Sequence, residues 1–173
     1  MILDRYKPSA KDTWTWSLAK IFDVPEIVIM AQQHFQSEIT DIFTPDPERY
    51  AKHVTVACVE QSFNPQTTQL IVARNNTTQE LMAYAWLTRG HHMTYAPEEC
   101  AEAAFVHMAL NLPLRTRVTL TAQILQQWDL WCQICQIPVI VSTSIRQDQQ
   151  GFIELHQRAD YKIRGSFAWK RFK

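Results

Sequence analysis

Apolar positions recur along this chain with two different periods, and each change of period marks a new element. In TWTWSLA (13–19) apolar and polar residues alternate, which predicts a strand. In DVPEIVIMAQQHF the spacing lengthens, and Ile27, Met30, Ala31 and His34/Phe35 fall on one helical face. Asp23 as cap, Pro25 in the first turn and Glu26 three residues after the cap give that helix a capping-box-like start. Asp46 as cap and Pro47 in the first turn predict a second helix, running to about Phe63.

Two runs rich in β-branched and aromatic residues follow, QLIVARN and ELMAYAWLTR, joined by the turn formers NTTQ. They read as an antiparallel hairpin. A polar loop, GHHMTYAPEECAE, leads to a third strand, AAFVHMALN, whose alternation puts Phe105, His107 and Ala109 on one face. A helix is expected from about Thr116 to Gln136, with the stripe Leu120, Ile124, Trp128, Trp131 and Cys135 buried. IPVIVSTS reads as a strand covered on both faces, QQGFIELHQRAD as a short helix, and YKIRGSFAWKRF as one or two closing strands. The order β-α-α-β-β-β-α-β-α-β predicts an α+β (mixed α/β) domain with helices on both faces of a central sheet.

A length of 173 residues suits one domain with a proper core. We place an N-terminal extension at 1–12 and a single domain at 13–173. The 17 basic and 17 acidic residues cancel, which argues against nucleic-acid and anionic-membrane partners. No apolar run reaches the roughly 18 residues of a membrane span, and MILDRYKPSAKDTWTW lacks the apolar core of a signal peptide. A soluble, unexported protein is expected. Of the four cysteines, Cys132 and Cys135 form one C-x-x-C inside the long helix pattern, read as core residues rather than zinc ligands. No metal site is expected.

The stretch LPLRTRVTLT (112–121) joins strand to helix, a place where unpaired N–H groups and the helix dipole make an anion site. Arg115 and Arg117 stand there although the dipole disfavours cations by ~0.3–1 kcal/mol. Either a phosphate reverses that sign, or both side chains swing into solvent.

Three patterns resemble the GNAT acetyltransferase family across nearly the whole chain from about Thr13. DVPEIVIMAQQHF is similar to the family's opening helix. MALNLPLRTRVTLTAQIL has the spacing of its cofactor motif, an apolar strand followed by R-x-x-G-x-G and a helix. GFIELHQRADYKIRG resembles its closing helix, usually ending L-Y-x-x-x-G-[FY]. The resemblance implies a mostly antiparallel GNAT-like sheet and an acyl-CoA N-acyltransferase that binds acetyl-CoA and an amine acceptor. The implied cofactor contacts are Leu110, Arg115, Thr116, Arg117, Val118, Thr119 and Leu120.

Val118 and Leu120 stand at the motif's glycine positions, and no glycine lies between Gly90 and Gly151. The closing motif has Leu155-His156 for L-Y and Asp160-Tyr161 for G-[FY]; Asp tolerates the left-handed backbone a glycine would adopt. These departures imply impaired or lost activity. His156 is the candidate proton donor and Glu102 the candidate base, with Glu98, Glu99 and His107 behind it. The alternative is a non-catalytic scaffold with protein partners, of the phage accessory or virion-associated kind, rather than a cytoplasmic enzyme. Trp14, Trp16 and the aromatic, basic tail (Phe167, Trp169, Phe172) would then be contact surfaces or ordinary core strands.

Overall fold

The computed structural model describes residues 13–144, 149–165, 168, 170 and 171. One five-stranded sheet carries β1 (Trp14–Leu18), β2 (Thr68–Asn75), β3 (Leu81–His92), β4 (Glu99–Met108) and β5 (Val139–Val141), in that spatial order. All neighbours are antiparallel except β4 and β5, which run parallel. Helices α1 (Val24–Glu38) and α2 (Pro47–Phe63) cover one face; α3 (Leu114–Cys135) and α4 (Gln150–Arg158) belong to the other. The chain thus has the expected mixed architecture and, through Arg158, the expected element order. No described helix is long and apolar enough to cross a membrane.

Alternation sorts the two cores. Leu70, Val72 and Tyr84 pack under α1 and α2 with Ile27, Met30, Ala31, Phe35, Tyr50 and Val54. Ile71, Ala85 and Leu87 pack under α3 with Ile124, Leu125, Trp128, Trp131 and both C-x-x-C cysteines. Cys132 and Cys135 are buried and free. Burial pushes the Cys132 thiol up to about 12 and that of Cys135 upward too, so neither is a poised thiolate.

A third cluster locks α3 onto the sheet. Trp16, Ala73, Ala83 and Met108 lie directly opposite one another across β1 to β4. The two alanines make a hollow in that row, and fully buried Leu120 fills it. Trp14 and Trp16 are half-buried against this cluster, and both indole N–H groups donate to Gln123 Oε1, at 2.8 and 2.7 Å.

Several elements differ from the sequence pattern. Asp46 caps α2 as expected, accepting from the Arg49 N–H at 2.9 Å. Asp23 does not cap α1. Its carboxylate is drawn back, accepting from the Lys20 N–H at 2.7 Å and from Arg74 Nη2 at 2.6 Å. That pairing ties β2 to the start of α1, a long-range demand that a local capping pattern does not contain.

The polar loop shrinks to residues 93–98, because β3 continues through His92 and β4 begins at Glu99. Charge pairing extends the ladder: Arg89 makes a bidentate bond to Glu99 at 2.7 and 2.6 Å, and His91 meets Glu102 at 3.1 Å. α3 starts at Leu114, two residues earlier than the pattern suggests, directly behind Pro113. β5 is only three residues long and half-exposed rather than covered on both faces. Tyr161–Gly165 has no regular structure, and Phe167, Trp169 and Phe172 lie outside the described residues, as does the 1–12 extension.

Candidate functional site

β4 and β5 pair at only three positions, Cys100↔Val139, Ala101↔Ile140 and Glu102↔Val141. β4 then continues to Met108 while β5 ends, so the two part from Glu102 and Val141 onward. The candidate catalytic residues flank that point. Glu102 is the last β4 residue of the paired segment, and Ser142 follows Val141 directly.

Glu102 is half-exposed and lies on the α1–α2 face with its cross-strand neighbour Thr88. His91 bridges to it, with Nδ1 3.1 Å from the carboxylate and Nε2 3.0 Å from the Thr88 hydroxyl. Of the reserve candidates, Glu99 is occupied by Arg89 and by the Gly90 N–H at 3.0 Å.

His156 projects from α4 and is 4% exposed. Its Nδ1 lies 2.8 Å from the Phe152 carbonyl, which can only accept, so Nδ1 carries the proton. Nε2 of the neutral ring accepts from the Ser142 hydroxyl at 3.0 Å. Burial lowers the ring's pKa below its ordinary value, favouring that neutral form. In this arrangement the shared hydrogen belongs to Ser142 and is directed at His156 Nε2, which holds the hydroxyl in place. Asp160, where the closing motif has glycine, adopts φ of 65°, the left-handed conformation expected there.

The other end of β4 leads into α3 through Ala109–Pro113, a segment tightened by a Leu112 N–H to Ala109 carbonyl bond of 3.2 Å. The first α-helical bond of α3 runs from the Arg117 N–H to the Pro113 carbonyl at 3.0 Å, so the N–H groups of 114–116 precede it. No side chain caps this end and no acidic residue stands in its first turn. Arg115 and Arg117 are exposed, and no ion pair with a described carboxylate is formed by either. Leu110 and Leu114 are exposed beside them, at 56% and 70%. Thr116 is half-buried. Val118, Thr119 and Leu120 sit inside the helix, with the Thr119 hydroxyl bonded back to the Arg115 carbonyl at 3.0 Å.

A third group of polar side chains lies between α1 and the sheet, and pattern reading found only part of it. Tyr84 and His107 face each other across β3 and β4, with the Tyr84 hydroxyl 2.5 Å from His107 Nδ1. The Tyr50 hydroxyl lies 2.8 Å from that of Tyr84. Burial raises the pKa of both tyrosines, keeping them phenols. From α1, His34 stacks on His107 with ring centroids 4.4 Å apart, and Glu38 reaches both histidines at 3.0 and 3.6 Å. The available signal was the i, i+4 spacing of His34 and Glu38, which puts both on the buried stripe of α1.

No protein-family model and no curated protein sequence matches the chain. Solved structures do. A possible acetyltransferase from Clostridium difficile 630 is similar over 94% of this chain and 99% of its own, with TM-score 0.66 at 8% identity. An aminoglycoside antibiotic 6'-N-acetyltransferase from Acinetobacter baumannii matches over 92% and 98%, with TM-score 0.65 at 10% identity. Glucosamine-6-phosphate N-acetyltransferase from Arabidopsis thaliana matches over 94% and 100%, with TM-score 0.66 at 10% identity. At such identities the likeness establishes the fold, and the fold is that of the GNAT acetyltransferases.

Proposed function

We propose that this protein is an acyl-CoA-dependent N-acyltransferase with a weakened grip on its cofactor. The observation that carries this reading is the parting of β4 from β5, with Glu102 on one side and the Ser142–His156 pair on the other. An acyl thioester placed there would meet a carboxylate and a hydroxyl donor across the opening. An acceptor amine attacks the thioester carbonyl; the C–N bond forms and the C–S bond breaks. Glu102 takes the proton lost by the amine, directly or through water. The departing thiolate takes its proton from solvent, relayed through the Ser142 hydroxyl, which gives up its own hydrogen only as it accepts one from water; neutral His156 positions that hydroxyl.

The N-terminus of α3 supplies the anion site for the cofactor's phosphates: open N–H groups, a helix dipole, and Arg115 and Arg117 without described acidic partners. Leu110, Thr116, Val118 and Thr119 complete our proposed contact segment; Leu120, expected to belong to it, is instead fully buried against the sheet and is left out. Glycine-free backbone keeps a phosphate farther from the N–H groups, which is why we expect weak binding. The N-acetyltransferases that share the fold support amine acylation as the reaction class, and the position of Glu102 favours the α1–α2 face as the acceptor side.

Thermal unfolding with and without acetyl-CoA, backed by calorimetric titration, tests this. A ligand at 100 times its dissociation constant adds about 2.7 kcal/mol of stability. A saturable rise in midpoint is expected, followed by thiol release when amines are screened, with Glu102→Gln and Ser142→Ala slowed. Absence of any shift at millimolar cofactor would overturn the reading and leave a non-catalytic GNAT-fold scaffold, with protein partners, in the cytoplasm or a phage particle.

A further inference from the structure

We propose that this chain forms a two-fold dimer by pairing the open edge of β1 with β1 of a second copy, independent of the acyl-transfer reading. β1 is an outer strand of the sheet, bonded to β2 on one side. In an antiparallel pair, alternate residues turn both backbone groups toward the partner strand, and those between turn theirs away. The Ala19 N–H donates to the Leu70 carbonyl at 2.8 Å, and the Thr13 carbonyl accepts from the Asn76 N–H at 2.6 Å. With that phase, Trp14, Trp16 and Leu18 each turn an N–H and a C=O away from β2. None of these backbone groups has a partner among the described residues.

The strand is its own complement. A dyad through Trp16 sets Trp16 opposite Trp16 of the second copy, Trp14 opposite Leu18, and Thr15 opposite Ser17. In that register every open donor of Trp14, Trp16 and Leu18 meets an open acceptor. The side chains agree: indole meets indole or leucine on the α3 face, and two hydroxyl-bearing residues meet on the other. Residues 13–19 carry no charge and no proline, so the dyad brings no like charges together on the strand. Natural sheets guard such edges with lysine, proline or an inward-pointing charge, and this strand has none of them. The residues before Thr13 are the competing occupant, but Asp4, Arg5, Lys7, Pro8, Lys11 and Asp12 suit a paired strand poorly.

A five-residue strand pair is a small contact, and apolar surface beside it enlarges it. Leu18, Ile21 and Phe22, at the end of the strand, are 44%, 60% and 71% exposed. α2 is the helix nearest that end: its Gln61 amide donates to the Ala19 carbonyl at 2.6 Å. α2 in turn exposes Val56 and Phe63. Exposed apolar surface gathered in this way marks a contact site. β4 and β5 form the opposite side of the sheet, so a dimer through β1 leaves the proposed acyl-transfer site open.

Sedimentation velocity and light scattering on the full chain, over a range of protein concentrations, test this. We expect a dimer whose fraction rises with concentration, and slow hydrogen exchange at the Trp14, Trp16 and Leu18 amides. Leu18→Lys and Ser17→Lys, both at exposed positions, should each weaken the dimer by about 10-fold or more, since the dyad doubles every substitution. The same three amides should then exchange rapidly. Ile134→Lys, at an exposed position of α3, should keep the dimer. Circular dichroism checks the fold of each variant, and Ser17→Lys carries the test if Leu18→Lys unfolds. A parent that is monomeric at every concentration overturns the proposal, as does a dimer that both variants leave intact. A chain shortened to begin at Thr13 identifies the competing occupant: dimerisation of that form alone assigns the edge to residues 1–12 and overturns the proposal too. Acetyl-CoA binding is measured separately, so either proposal can fail alone.

Discussion

Restoring glycines at the two motif positions should damage this protein, not repair it. Val118 and Leu120 lie in the second turn of α3, four and six residues after its start at Leu114. Leu120 is fully buried in the hollow formed by Ala73 and Ala83, with Met82 also against it. Emptying such a site to alanine costs ~2–5 kcal/mol, because the sheet beneath cannot collapse into the space. Going on to glycine in a helix interior adds about 1 kcal/mol per residue. Half-buried Val118 adds roughly another 1 kcal/mol of lost burial. The double variant Val118→Gly/Leu120→Gly should therefore lose about 5 kcal/mol or more, against a typical domain stability of about 5–15 kcal/mol. Urea unfolding at a slope of about 2 kcal/mol per molar would show the midpoint falling by more than ~2 M. Leu120→Ala alone, at ~2–5 kcal/mol, keeps the measurement possible if the double variant does not fold. A double variant within about 1 kcal/mol of the parent would refute the reasoning. It would mean that the side chain at 120 does not bear on the sheet and that the segment can adopt a looser, loop-like path.

Two further perturbations test the ties between elements. Arg74→Ala strands Asp23, whose side chain is 3% exposed, and should cost ~3–5 kcal/mol in the same urea assay; a loss under 1 kcal/mol would show the pair to be dispensable. Burial holds His156 below its ordinary value, so the unfolded chain takes up a proton more readily than the folded one. The stability that the neutral ring contributes is present above the unfolded pKa of about 6.5 and is lost as pH falls through the folded value. His156→Gln, with no ring to protonate, should flatten the dependence of unfolding free energy on pH in that acidic window; an unchanged slope would refute the assignment.

Long periodic elements were legible because one buried face dictates their spacing. The stripe Leu120, Ile124, Trp128, Trp131 and Cys135 is buried throughout, and α2 spans Pro47–Phe63 as Asp46 and Pro47 suggest. What escaped the pattern depends on partners far along the chain. Asp23 looks like a helix cap until Arg74, 51 residues away, claims it. GHHMTYAPEECAE looks like a loop because its polar residues hide a ladder made by Arg89–Glu99 and His91–Glu102. Reading the cofactor motif by its glycine spacing puts Val118 and Leu120 in a loop, whereas Pro113 lets the helix begin at Leu114 and carries both into its interior.

The placement of the polar side chains along β4 turns on one residue that alternation cannot reveal. Leu87 pairs with Ala103 and Trp86 with Phe105, so Ala104 is an extra residue in β4. Before it, Ala101 and Ala103 pack on the α3 side; after it, Val106 and Met108 do. The phase of the strand is therefore reversed across Ala104, as a one-residue shift of a period-two pattern requires. Glu102 and His107 are an odd number of residues apart, and strict alternation would put them on opposite faces. The bulge brings both to the α1–α2 face, Glu102 where β5 departs and His107 against Tyr84 and His34. A single inserted residue thus puts a half-exposed carboxylate and a buried histidine cluster on the same side of one strand. That is why neither could be located from the spacing of apolar residues alone.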